Sequence, residues 1–357
     1  MENANKDTYT LGLDLGNATH ALCVLNSTGD IVEENTIANE KEALSCLSAR
    51  YPSSTIVMEA GTHSPWISRL LEAAGHRVIV ANPRKVRAIY TADNKTDRKD
   101  AEMLARIARM DTKLLYPIRH GSEASQKAFM ILKSRDALVR SRVSLINGVR
   151  SLLKSIGTLL PSGWSADSFT RKAREHLDEE HTRLVDAMLE CILVQTEEVR
   201  LLDKRITAMI EDRYPDAQRL QSVGGVGPIT ALAFILTIDD PHRFNKARDI
   251  GPFLGMTPRR DQSGDCDKQL PITKAGNAML RRLLVNCSQY ILGPFGPPSH
   301  LREAGERISQ GPGKNARKRA VVAVARKLAI VLMKMLKTPG ATYEPYPGRP
   351  LSGAMAA

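Results

Sequence analysis

Cysteine is scarce in this chain: five in 357 residues, an odd number with no paired spacing. A secreted disulfide scaffold is thereby excluded, and the thiols read as reduced. Aromatic residues make up only 4%, so stacking of bases on aromatic platforms is not the main mode of binding to a nucleic acid. Long apolar runs are missing too. Stretches such as Ala231–Leu236 fall far short of the ~20 residues a membrane helix needs. The opening Met-Glu-Asn-Ala-Asn-Lys-Asp has no cationic segment followed by an apolar one, so no signal peptide is expected and a cytoplasmic location is. No His/Cys cluster has zinc-finger spacing. What is present excludes wholesale disorder: 42% of residues are hydrophobic, and the length suggests two or three domains.

Charge is the first positive feature. Lys and Arg number 51 against 39 Asp and Glu, a net +12 that favours a polyanionic partner. From Gly311 to Lys337 there are eight basic residues and no acid, including Lys314, Arg317, Lys318 and Arg319. Apolar residues interleave them, which reads as an amphipathic basic helix. A second basic cluster, Arg84 to Arg109, contains Lys95, Arg98 and Lys99 and is mixed with acids. Either run could be a solvated helix face. With so few aromatics, contact with backbone phosphates is the better reading.

The first ~110 residues alternate strand and helix signals. Tyr9–Leu15, His20–Leu25 and Ile31–Thr36 read as a hairpin meander. Then come a helix (Glu40–Arg50), a strand (Thr55–Glu59), a helix (Ser64–Ala74), a strand (Arg77–Ala81) and a helix from Thr96, its N-cap, to Met110. This order predicts an α/β layer with a mixed sheet. Glu123 to Tyr214 reads as helical. Val185, Met188, Ile192, Gln195, Val199, Leu202, Ile206 and Met209 repeat at the period of a coiled-coil seam, with Gln195 its one polar member. An ordinary helical hairpin and an oligomerisation arm fit this equally. After Pro215, the turn Gly224-Gly225-Val226-Gly227 has the shape of a helix-hairpin-helix element whose amides, at Gly225 and Gly227, would grip a phosphate. The expected domains are 1–115, a helical region 116–214, a mainly α region 215–340 and a flexible end 341–357.

Four carboxylates stand out. Asp14 sits in the apolar strand Gly12-Leu-Asp14-Leu-Gly16, and Glu59 ends the apolar strand Thr55-Ile-Val-Met. Asp97 and Asp100, three apart, share one face of a helix start. Individually, Asp14 could cap a strand, and the helical pair could answer the helix dipole. Brought together they cannot all stay ionised without a cation. Oxygen-only ligands favour Mg²⁺ or Mn²⁺, and two such ions suit in-line phosphoryl transfer. A meander bearing Asp, a later strand ending in Glu, then a helix with two Asp is the order of an RNase H-like (RuvC-like) nuclease. The stretch Leu11–Thr19 also resembles the first phosphate loop of the sugar kinase and actin superfamily, but no second strand of that type follows. In the last third, Ser263 beside Gly264 sits in a polar stretch and reads on its own as turn chemistry.

Taken in order, Tyr9–Gly16, Val57-Met-Glu59-Ala-Gly61, Asn94-Lys-Thr-Asp97-Arg-Lys-Asp100, Gln262-Ser263-Gly264, Ile272-Thr-Lys-Ala-Gly276 and Gly313–Lys327 resemble the DEDD transposases of bacterial insertion sequences, the bridge-RNA-guided recombinases. The resemblance spans about residues 9 to 340. It implies a RuvC-like domain whose four acids match Asp14, Glu59, Asp97 and Asp100, and a C-terminal domain whose nucleophilic serine matches Ser263. It further implies target and donor DNA and a structured non-coding guide RNA as partners. A homo-oligomer joined by the coiled coil is also implied, acting at the nucleoid. Arg259, Arg260, Lys274, Arg281 and Arg282 become candidate phosphate contacts. A RuvC-like junction nuclease that hydrolyses DNA is the alternative.

Overall fold

A computed structural model of the protein describes residues 9–86, 96–264 and 266–347. It divides into two units, Met1–His120 and Gly121–Ala357.

In the first unit, short apolar runs punctuated by turn residues fold into a five-stranded sheet. Its strands are β1 (Thr10–Leu15), β2 (Thr19–Leu25), β3 (Ile31–Ala38), β4 (Thr55–Glu59) and β5 (Arg77–Ala81), in the order β3-β2-β1-β4-β5. The meander is antiparallel, whereas β1, β4 and β5 run parallel. The turn between β2 and β3 is fixed by Asn26, whose Oδ1 accepts from the amides of Thr28, Gly29 and Asp30 at 3.0, 2.9 and 2.9 Å. Helices α1 (Lys41–Arg50) and α2 (Ser64–Ala73) cover one face, packing Leu44, Leu47, Ile67 and Leu71 on Leu11, Leu13 and Met58. After the short α3 (Pro83–Val86), α4 (Asp97–Met110) covers the other face through Ala101, Leu104, Ala105 and Ile107. Thr96 caps α4 as read from sequence, its Oγ1 accepting from the Lys99 amide. The expected mixed α/β layer is thus present.

The second unit is mostly helical. Its long helices α5 (Glu123–Ser155) and α7 (Glu179–Arg213), with α6 (Phe169–His176) between them, lie antiparallel. Arg135 meets Asp203, Arg142 meets Thr196, and Met188 fills the space over Gly148. Seam residues Val185, Ile192, Val199 and Ile206 are buried, and the polar Gln195 donates to Ser141 Oγ at 3.0 Å. The heptad pattern is therefore satisfied at least in part by α5 of the same chain. Next come α8 (Pro215–Leu220), α9 (Pro228–Ile238), α10 (Ile250–Phe253), the hairpin β6 (Pro258–Ser263) and β7 (Cys266–Ile272), α11 (Ala278–Ile291), α12 (His300–Ser309) and α13 (Ala316–Lys337). The core gathers α9, α11 and α13 around Phe234, Leu284 and Leu328. The basic helix α13 is accordingly a core helix, burying Ala320, Val324, Leu328 and Leu332 beneath its exposed cations. Part of the expected flexible end is held: Pro345 O accepts from the His300 amide at 2.9 Å.

Candidate functional site

The acidic site is built where parallel strands end. The register sets Leu13 of β1 opposite Met58 of β4, so Asp14 and Glu59 follow side by side at the strand ends. Side chains alternate along a strand. Leu13 and Met58 enter the core beneath α1 and α2, and Asp14 and Glu59 therefore face the α4 side. Gly12, two residues before Asp14, faces the same way, and α4 lies directly on it. A Cβ at Gly12 would come 1.9 Å from the Ala101 carbonyl oxygen. This contact sets the first turn of α4, with Asp97 and Asp100, above the end of β1. Asp14, Glu59 and Asp100 are half-buried and Asp97 is exposed.

A cavity of about 340 Å³ opens here, lined among others by Asp14, Ala21, Glu34, Thr36, Asp97 and Arg98. Register explains its floor. Asp14 pairs with Ala21 and Ala21 with Thr36, a row whose small central residue leaves room. The structure thus brings Asp14 and Asp97 to one cavity; Glu59 adjoins Asp14 along the sheet, and Asp100 lies one turn into α4 on the face of Asp97. Among the described residues, no three His, Cys, Asp or Glu side chains are drawn together as a ready-made metal cluster. The donor chemistry, carboxylate oxygens alone, fits a hard divalent cation.

The cations near this site are largely engaged. Arg98 forms an ion pair with Glu34 of β3. Further along α4, Arg106 donates to Gly29 O at 3.3 Å, and Arg109 donates to Asn26 O and Ser27 O at 2.7 and 2.8 Å. One arginine edge of α4 is therefore stitched along the β2–β3 hairpin. Lys99 is exposed, and Lys95 lies outside the described residues.

In the second unit, Ser263 is the last residue of β6, where sequence suggested only a polar loop. Every residue of β6 is exposed, so no alternation of apolar and polar residues marked it as a strand. Ser263 pairs with Cys266, and Gly264, at φ +53°, begins the turn. The hairpin springs from a tight root. Gly255 (φ +64°) lies against the Ala275 backbone and Gly276 (φ +67°) against the Phe253 carbonyl; a Cβ at either would approach to 2.1 Å. Arg281 completes the root by donating to Leu254 O and Ala275 O at 2.9 and 2.6 Å.

The remaining candidate contacts divide by what already holds them. Arg260 pairs with Asp267 across the hairpin, which raises the guanidinium's pKa and lowers the carboxyl's. Arg282 pairs with Asp136 of α5, and Arg319 donates to Pro312 O at 2.6 Å. Arg259, Lys274, Lys314, Arg317 and Lys318 are exposed. Gly225, at φ +87°, turns the chain into α9 with Gly227 at the N-cap, and the Tyr290 ring packs where a Gly225 Cβ would be. These two glycines line a cavity of about 460 Å³ shared with Asn286 and Tyr290.

Comparison with known proteins bears on both units. A family profile described as "Transposase" matches residues 11–158, and a second, "Transposase IS116/IS110/IS902 family", matches residues 217–300. The first match takes in all four singled-out acids and the second takes in Ser263. The chain is 29% identical over 346 residues to the transposase for insertion sequence element IS1111A of Coxiella burnetii, covering 93% of this chain and 90% of that protein. It is 26% identical to the transposase for insertion sequence element IS1328 of Yersinia enterocolitica, covering 78% and 82%. Among the described residues, no helix is long and apolar enough to cross a membrane.

Proposed function

We propose that this chain, similar over both units to transposases of insertion sequences, is a DEDD transposase that moves its element with a RuvC-like acidic site and the serine hydroxyl of Ser263. The observation that carries this reading is the common cavity of Asp14 and Asp97 at the end of a strand and the start of a helix, with Glu59 beside Asp14 in register. Asp14, Glu59, Asp97 and Asp100 would hold Mg²⁺ or Mn²⁺, two ions in all. When bound, the ions would withdraw charge from a scissile phosphate.

Ser263 Oγ bonds to the scissile phosphorus, the P–O bond to the leaving sugar breaks, and the departing oxygen takes up a proton as the serine gives one up. A phosphoserine-linked DNA end results, and reversal of the attack after strand exchange rejoins the strands without hydrolysis. The exposed end of β6, on its rigid root, suits a hydroxyl that must reach a bulky duplex. Exposed Arg259, Lys274, Lys314, Arg317 and Lys318, with the Gly225–Gly227 turn, contact backbone phosphates. Sequence is read by a structured guide RNA that pairs with target and donor DNA, so the protein needs no base-reading aromatics.

The active form is a homo-oligomer. Exposed Val194 and Leu201, seven apart on the face of α7 turned away from its buried seam, supply the surface for a second copy. The reading is tested with the full chain, its RNA and a DNA junction of its own element ends. Asp14→Asn abolishes cleavage and rejoining if it is right, whereas unchanged divalent-dependent activity rejects it.

A further inference from the structure

Glu34 is the carboxylate of this cavity that no sequence motif marked. It lies mid-strand in β3, opposite Cys23 of β2, which in turn sits opposite Gly12 of β1. Glu34 thus lies two rows from Asp14, in the next row that faces the same side of the sheet, and both line the same cavity. Its side chain is only 15% exposed, whereas that of its partner Arg98 is 70% exposed. Arg98 follows Asp97 directly in the first turn of α4, and it too lines the cavity. The other two arginines of the α4 edge end on backbone carbonyls of the β2–β3 turn, away from the acids. Arg98–Glu34 is the one of these three links at the acidic end, and the one that joins α4 to the sheet through two charges, since the ion pair of Arg106 with Glu102 stays within α4.

We propose that Glu34 is a positioning residue of the acidic site: it draws Arg98 across to β3 and so keeps that guanidinium off Asp97. This rests on the metal-binding reading of those acids. A guanidinium beside Asp97 has two courses open. Held by Glu34, its charge is answered by that carboxylate. Released, it swings to the neighbouring Asp97 and competes there with a divalent ion. The two partners of the pair therefore act with opposite sign. Removing the charge of Glu34 frees Arg98 to compete with metal. Removing the charge of Arg98 leaves Glu34 as an additional anion in the cavity, which strengthens attraction for a cation. A strut that merely braced α4 would give the same sign for both.

The test is calorimetric titration of the full-length chain with MnCl₂, with Asp14→Asn as the control that identifies the site. Glu34→Gln raises the Kd for Mn²⁺ about three- to tenfold, Arg98→Gln lowers it by a similar factor, and the double variant returns near the unaltered value. Thermal midpoints stay within a few degrees, because an ion pair whose arginine lies largely in solvent adds little stability. Weakening by both single variants, or no change in either, overturns the role of Glu34 while leaving the metal site standing. Absence of Asp14-dependent Mn²⁺ binding in the unaltered chain overturns both.

Discussion

The α-carbon of Gly12 and the carbonyl oxygen of Ala101 stand so close that a methyl group on the glycine would lie 1.9 Å from that oxygen. No side chain fits between β1 and α4 at this point. The contact sits two residues before Asp14 and one after Asp100, so it sets the height of the helix over the strand at the acids. Gly12→Val is expected to push α4 outward, to destabilise the first unit by about 1–3 kcal/mol as overpacking does, and to lower activity beyond what the lost stability explains. Thermal melts beside cleavage rates check both parts.

Three histidines make the first unit sensitive to acid. His20 is fully buried, and burial lowers its pKa; burial likewise lowers those of His76 and His120. His76 Nδ1 accepts from the Ser54 amide at 3.3 Å, which suits a neutral ring. In the unfolded chain these groups return to about 6.5. Between the lowered folded pKa and 6.5 the unfolded state binds more protons, so stability falls as pH drops. The contribution is complete above pH 6.5 and is lost progressively below it. Calorimetric scans from pH 7.5 to 5.5 should show the first unit's transition moving to lower temperature. A transition that holds its position counts against this account.

The start of α5 depends on a side chain more than a hundred residues away. Asp239 accepts from the Ser122 amide and hydroxyl at 2.9 and 2.7 Å, and from the Ser125 hydroxyl. Partial burial raises its pKa, but these hydrogen bonds outweigh that and lower it overall. Asp239 holds φ +61°, a region costly for a non-glycine residue. Asp239→Ala should cost about 1–2 kcal/mol through loss of the cap, and Asp239→Gly less, since glycine relieves the backbone. Urea unfolding of the two variants gives the order.

The root of the β6–β7 hairpin is expected to govern Ser263 from a distance. At Gly276 an added Cβ would sit 2.1 Å from the Phe253 carbonyl oxygen, at a φ of +67°. Gly276→Ala should therefore impair cleavage severalfold while Ser263 is untouched, and a variant at the exposed Arg259 should change mainly the salt dependence of DNA binding. Equal effects in both assays would contradict this division.

How much of this was legible in the sequence depends on the element. The strands carrying Asp14 and Glu59 announce themselves through Leu11, Leu13, Ile56 and Met58, and Thr96 marks the start of α4 as a cap should. The β6–β7 hairpin gives no such sign, because its strand Pro258–Ser263 buries nothing. The seam on α7 was plain, but periodicity cannot say which helix fills it, and α5 of the same chain does so in part. Arg98, Arg106 and Arg109 read as a basic frame for nucleic acid, since an arginine in solvent and one bound to a carbonyl look alike in sequence. Glu34 left no trace, because its place beside Asp14 comes only from strand register.

Attack by Ser263, with the four acids holding the metal it works with, leaves a covalent product that can be detected directly. The direct measurement uses the full chain, the guide RNA proposed for it, Mg²⁺ and labelled junction DNA of its element, denatured after reaction and resolved for protein-linked label. The expected result is a covalent protein–DNA adduct that maps to Ser263, absent from Ser263→Ala and from Asp14→Asn. Cleavage and rejoining by Ser263→Ala at the unaltered rate, with no adduct formed by the unaltered protein, would contradict it.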